Sequence, residues 1–193
     1  MMLPSPTDIL EFWFGSPTDP TYGQSRQAWF RKDASFDRVL GDRWGGYYQQ
    51  AVAGGLDDWG KAATGCLALI LLFDQFPRNA FRDTPQAFAT DPLARHWATV
   101  CLSQGWDRDL LPVQRWFIYL PFEHSEDLAD QDRAIALFEQ LREDPASASP
   151  IDYAYRHREV IRRFGRFPHR NAILGRPSTP EEQAFLQQPG SGF

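Results

Sequence analysis

Apolar side chains recur along most of this chain at spacings of three and four, the pattern of helices buried on one face. Ser5-Pro6-Thr7-Asp8 combines capping-box spacing with a proline at the first helical position. Behind it, Ile9, Leu10, Phe12, Trp13 and Phe14 predict a short helix that stops at Gly15-Ser16-Pro17. A second helical piece carries Trp29 and Phe30. The next presents Phe36, Val39 and Leu40 and continues irregularly through Trp44, Tyr47 and Tyr48 to Gly54-Gly55. From Lys61 to Phe76 the chain is apolar on nearly every face, which fits a buried helix or a buried strand. Its length, about four turns of helix, favours the helix. Pro77 then stops it.

Pro77 to Asp91 reads as a long ordered loop, a class of segment that often carries function. Asp91-Pro92 restarts a helix with Leu93, Trp97, Val100 and Cys101 on its inner side, ended by Gly105. Leu111-Pro112 opens another, containing Trp116, Phe117, Tyr119 and Leu120, which Pro121 kinks or closes for want of an N–H. Ser125 to Arg142 is amphipathic, with Leu128, Ile135, Phe138 and Leu141 inward, and Pro145 to Pro150 reads as a linker. Tyr153, His157, Val160, Ile161 and Phe164 then define a helix ringed by arginines. Ser178-Thr179-Pro180-Glu181 opens a last short one through Phe185 and Leu186. The tail, 189–193, reads as loose unless Phe193 docks. No segment of strand alternation and no hairpin turn is convincing. The expectation is an all-α fold, one domain over residues 1–193, with about eight to ten helices in antiparallel pairs.

Composition narrows this picture. At 193 residues and 42% apolar content, with seven tryptophans, the chain can build a full core. A formal charge of -5 gives no general attraction to nucleic acid or to an anionic membrane, and neither is expected as a partner. Cys66 and Cys101 are too few for a disulfide framework, so buried reduced thiols are expected. The longest apolar run, Cys66 to Phe73, is far too short for a membrane helix. With no signal-like start, a cytoplasmic protein is the plain expectation.

Three polar phrases carry the candidate chemistry. Asp74-Gln75-Phe76-Pro77-Arg78-Asn79-Ala80-Phe81 is echoed by Gly165-Arg166-Phe167-Pro168-His169-Arg170-Asn171-Ala172-Ile173, each joining Phe-Pro to an Arg-Asn pair beyond an apolar segment. Between them stands Leu120-Pro121-Phe122-Glu123-His124-Ser125-Glu126-Asp127. Arginine presents a planar donor fork to carboxylate or phosphate, so Arg78, Arg82 and Arg170, oriented by Asn79 and Asn171 and joined by His169, are candidate ligand-binding residues. They equally suit an internal ion network, through an Asp74–Arg78 pair or a meeting of Glu123 or Glu126 with Arg170. His124, His157 and Glu123 are candidate acid–base groups or ligands for a divalent metal, although no His-Glu-x-x-His motif is present. In the structural alternative Ser125 caps the next helix, Glu126 and Asp127 favour its N-terminus, and His157 is a core histidine satisfied by Glu123 or His124. No cofactor is indicated: dinucleotide, phosphate-loop and Cys-x-x-Cys motifs are all missing.

These phrases, together with Ile9-Leu10-Glu11-Phe12-Trp13-Phe14-Gly15 and Trp29-Phe30-Arg31-Lys32-Asp33, resemble a bacterial family catalogued as domain of unknown function 924. The resemblance extends over essentially the whole chain. It implies a tetratricopeptide-like helical fold, in a compact irregular form because no clean period of about 34 residues is visible. The ending Gly190-Ser191-Gly192-Phe193 resembles that family's too, which implies a packed Phe193. No activity, substrate or catalytic residue follows from it. The readings that remain are recognition of an anionic small molecule or carboxylate-bearing peptide, acid–base or metal-dependent hydrolysis, and a purely structural or protein-binding role.

Overall fold

A computed structural model describes residues 5–192 of the chain. Among them there is no strand. The α-helices are α1 (Pro6–Phe14), α2 (Ala34–Val52), α3 (Ala63–Ile70), α4 (Phe76–Ala80), α5 (Asp91–Ser103), α6 (Pro112–Glu123), α7 (Leu128–Phe138), α8 (Ala148–Phe164) and α9 (Pro180–Leu186), with short 3₁₀ turns between several of them. The result is an all-α, irregular fold, and the count is eight where α3 and α4 are taken as one interrupted helix. None of these helices is long and apolar enough to cross a membrane.

α3 lies at the centre, as its all-round apolarity predicts. It packs against α1, α5 and α6 and against the 3₁₀ turn Asp57–Lys61, and its residues from Gly65 to Ile70 are buried. Close approach is made possible by two glycines. A Cβ on Gly65 would lie 1.9 Å from the Trp59 carbonyl oxygen, and one on Gly60 would lie 1.9 Å from the Trp97 ring. On the other side of the core the aromatic residues meet: Trp13 stacks on Trp29 at 6.0 Å, and Phe117 meets Trp29 edge-on at 5.1 Å. Burying each such ring contributes about 1.5–3 kcal/mol. The Trp29 indole N–H donates to the Trp13 carbonyl, while the buried Trp13 indole N–H has no hydrogen-bond partner among the described residues.

Several sequence expectations give way to tertiary context. Pro77 does not stop the central helix. The segment Leu71–Gln75 widens into a π-turn and α4 continues from it with Pro77 inside its first turn. Pro77 has no N–H to offer the Phe73 carbonyl, and the Thr90 hydroxyl donates to that oxygen at 2.7 Å instead. Arg78 and Asn79 side chains donate to the carbonyls of Asp74 and Gln75, both at 2.8 Å. Side chains thus supply what the regular ladder lacks, and the stretch expected as a loop begins in helix and includes the 3₁₀ turn Pro85–Phe88.

Pro121 does not close α6, which runs through it to Glu123. That stretch of α6 is buried on all sides, and burial outweighs a local penalty of about 3 kcal/mol. The supposed linker is a 3₁₀ turn, Pro145–Ser147, that leads directly into α8. Ser147 is fully buried and accepts the Trp116 indole N–H at 2.7 Å. On α5 Cys101 is buried and Trp97 and Val100 pack against the core as expected, but Leu93 is exposed and Asp91, Ala94 and Ala98 complete the buried face, the alanines letting α5 approach α3. Val39 and Leu128 are likewise exposed. α7 is capped by Asp127, not Ser125: the Asp127 carboxylate accepts the Ala129 N–H, while Ser125 accepts the N–H of Asp127. The last capping box is shifted by one, pairing Thr179 with Glu182. The tail is held as far as Ser191, whose hydroxyl donates to the Leu186 carbonyl; Phe193 lies outside the described residues.

Candidate functional site

The polar phrases converge where the π-turn, the start of α5, the end of α6 and the segment after α8 meet. The widened turn presents Asp74 inward, 1% exposed. His124, at the C-terminal end of α6, sets Nδ1 2.7 Å from Asp74 Oδ1. The second Asp74 oxygen accepts the Gln75 side-chain amide at 2.6 Å, and Arg78 Nη1 lies 3.1 Å from the first. Burial alone would push the Asp74 carboxyl up. Arg78 and His124 reverse this and hold it well below the usual carboxylate range. His124 is itself held below the usual histidine range by burial, then by the Arg78 cation, against the opposing pull of Asp74. Donation from Nδ1 to Asp74 leaves Nε2 as the acceptor of the neutral ring, with no protein partner among the described residues.

The two Arg-Asn phrases meet at a residue not singled out from the sequence, Asp91. Arg78 binds both of its carboxylate oxygens, at 2.8 and 3.0 Å, in the fork geometry of arginine. Arg170 Nη1 stands 3.8 Å from the same carboxylate, out of hydrogen-bond reach. Its guanidinium lies against the Phe88 and Phe167 rings at 4.6 and 4.4 Å, and its Nε is buried without a hydrogen-bond partner. Burial and the nearby Arg78 lower the Arg170 pKa to about 10.

A second histidine–carboxylate pair lies behind the first. His157 Nδ1 is 3.0 Å from Glu123 Oε1 and 2.9 Å from the Tyr153 carbonyl, and the His124 and His157 rings are 6.3 Å apart. The Gln131 amide fixes this corner by donating to the carbonyls of Glu123 and Ser125, each at 2.6 Å. His169 packs on Phe167 at 5.6 Å, and burial followed by the charge of Arg170 lowers its pKa to about 3.

The other predicted residues are engaged nearby. Asn79 donates to the Gln75 carbonyl, while Arg82 binds Asp37 through two hydrogen bonds, at 2.6 and 3.0 Å, and Asn79 at 2.7 Å. Asn171 is fully buried between Ser178 and Arg176. Glu126 meets Arg176, not Arg170: its carboxylate accepts from Arg176 at 2.7 and 2.9 Å and from the Phe167 N–H at 2.8 Å. Among the described residues no three His, Cys, Asp or Glu side chains are grouped so as to hold a metal ion.

One open depression of about 380 Å³ borders this network. Phe88, Asp91, His124, Glu126 and Arg170 line it, with Arg95 among the outer residues. Asp74, Glu123 and His157 are buried behind that wall. Arg82, Asn79 and Asn171 are not part of it.

The profile of a family described as "Bacterial protein of unknown function (DUF924)" matches residues 9–190. The chain belongs to that family. This DUF924 member is also similar to a solved structure described as "Structure of Protein of Unknown Function ATU0120 from Agrobacterium tumefaciens". The two share 43% sequence identity over 94% of this chain and 96% of that one, with a TM-score of 0.83. No curated protein matches. In this DUF924 member the polar phrases form a network of buried Arg/His/Asp/Glu salt bridges.

Asp91, Phe88 and Arg176 are the residues that sequence reasoning missed. Asp91 reads locally as a helix-start residue, and Phe88 as a loop aromatic. Nothing near Arg176 announces its contact with Glu126, because that pairing spans fifty positions.

Proposed function

We propose that the depression bordered by Arg170 and His124 binds a small molecule through a carboxylate group. The observation that carries this is the state of Arg170. Its side chain is only 7% exposed, yet its nearest carboxylate is 3.8 Å away and already taken by Arg78. A cation so desolvated and incompletely paired favours an added anion. Its guanidinium packs against two phenyl rings, its N–H donors lie along the guanidinium edge, and a planar carboxylate matches such an edge. Asp91 and Glu126 on the same wall disfavour a dianion, which argues against phosphate. Arg78 serves as the positioning residue that holds Asp74 and Asp91 in place, and Arg95 stands at the rim, loosely paired with Asp130 at 3.5 Å. The volume suits a compact organic acid.

Butyrate and inorganic phosphate are the test ligands. Butyrate is expected to raise the thermal midpoint and to give saturable heat in calorimetry, and Arg170→Met is expected to abolish both. A response to phosphate but not butyrate overturns the carboxylate assignment. An equal butyrate response in folded Arg170→Met overturns the site.

A further inference from the structure

We infer that Asp74 and His124 form a general-base dyad in the wall of this depression, and that its substrate is an ester whose acyl part carries a separate, charged carboxylate. The inference rests on the anion site proposed above. Three observations lead beyond binding. The 2.7 Å contact between Asp74 Oδ1 and His124 Nδ1 fixes the ring and its tautomer from behind, so the basic nitrogen is Nε2. Asp74 is kept ionised and immobile by Gln75 and Arg78 while only 1% exposed, as an orienting carboxylate should be. His124 lines the same depression as Arg170, so one molecule can meet both.

An architectural histidine is ordinarily satisfied on both nitrogens or sealed from solvent. Here Nδ1 is held by a buried anion while Nε2 has no protein partner among the described residues, on a side chain 13% exposed. Ser125 also lines the depression, but its hydroxyl oxygen accepts the Asp127 N–H and the residue is 5% exposed, so water is the better nucleophile.

In the reaction, Nε2 takes a proton from water as the water oxygen bonds to the acyl carbon. The carbon–oxygen bond to the leaving group then breaks. The proton passes from Nε2 to the departing alkoxide, or to solvent where the leaving group is a phenolate. No redox change occurs; the new carboxyl loses its remaining proton to solvent, and the products are a dicarboxylate and an alcohol or phenolate. Asp74 is a positioning residue, and Arg170 holds the remote carboxylate.

The groups facing the dyad are Arg78 from α4, Glu123 from α6, His157 from α8, His169 from the segment after α8, and Asp91 and Arg170 across the Arg78 bridge. Hydrolysis requires neutral His124. The rate therefore rises with pH through an inflection below the ordinary histidine range, in keeping with the burial of the ring and the nearby Arg78.

The test uses the full chain with two chromogenic substrates of equal acyl length, the 4-nitrophenyl half-ester of adipate and the neutral 4-nitrophenyl hexanoate. The half-ester is expected to be cleaved at least tenfold faster than the neutral ester, and His124→Gln to lower that rate at least tenfold. Asp74→Asn is expected to shift the inflection of the pH profile downward, since it removes the anion that favours imidazolium. Circular dichroism establishes that each variant is folded, and the wild-type comparison stands even where Asp74→Asn is not. Cleavage of both esters at equal, His124-dependent rates supports the dyad and overturns the anion site. If neither ester is cleaved faster by wild type than by His124→Gln, the dyad proposal is overturned, while butyrate binding alone would still uphold the anion site.

Discussion

His124 on α6 and Asp74 in the π-turn, fifty positions apart in sequence, are joined through Nδ1 and Oδ1 at 2.7 Å. The contact exists because the helix widens at Leu71–Gln75, which lets a carboxylate sit inside the core with a cation on one side and an imidazole on the other. π-turns are often found at functional sites, and here the irregularity is what presents the acid.

Acid should destabilise the protein before its carboxylates titrate. His124 and His169 both have folded-state pKa values below the unfolded value near 6.5, that of His169 reaching about 3. As pH falls below the unfolded value, the unfolded chain takes up protons that the folded chain refuses, so stability is lost between about pH 6.5 and 3. Each such group contributes a slope of up to about 1.4 kcal/mol per pH unit. Urea midpoints measured across this range should fall steadily, and His169→Gln should flatten the slope. A flat profile for wild type down to pH 4 would contradict the assignment.

Asp91→Asn should be strongly destabilising, because one carboxylate serves both Arg78 and Arg170. Removing its charge leaves Arg78 with Asp74 as its one carboxylate and strips Arg170 of its nearest one. The expected loss is about 3–5 kcal/mol by urea unfolding, the range for breaking a buried pair on one side. Arg82→Gln, which breaks a more exposed pair with Asp37, should cost less.

Gly65→Ala tests the close approach of α3 to the turn before it. The added methyl would stand 1.9 Å from a backbone oxygen, which cannot move aside as a side-chain tip would. An alanine ordinarily improves a helix by about 1 kcal/mol over glycine. Here the sign should reverse, with a net loss of about 1–3 kcal/mol or more in thermal or urea unfolding.

Both cysteines should resist alkylation in the folded protein. Burial pushes the Cys66 thiol up to about 11 and the Cys101 thiol up to about 12, so almost no thiolate is present at pH 8. Iodoacetamide labelling followed by mass spectrometry should find modification only after addition of denaturant. Rapid labelling of either in native buffer would show that the α3–α5 core opens.

The sequence was most informative where local chemistry decides. Ser5-Pro6 does start α1, Gly105 does follow the end of α5 in the left-handed region, and the all-apolar run at Leu67–Ile70 is the buried centre. His157 reads as a buried histidine partnered by Glu123 or His124, and Glu123 is the one at 3.0 Å. Proline is a weaker helix stop here than its missing N–H implies. Pro77 and Pro121 continue helices because Thr90 relieves one orphan carbonyl and burial holds the other segment together.

By itself, then, the sequence determined that helices form, which faces of most of them are apolar, and that arginine, histidine and carboxylate groups lie at their ends. Helical period, caps and burial propensity act over a few residues and can be read there. Only the tertiary structure decided which charges meet. Arg78 and Arg170 share Asp91, Glu126 takes Arg176, and His124 takes Asp74. Such partners are set by the packing of helices distant in the chain, and a side chain's charge carries no information about which opposite charge will be nearest once water has been excluded.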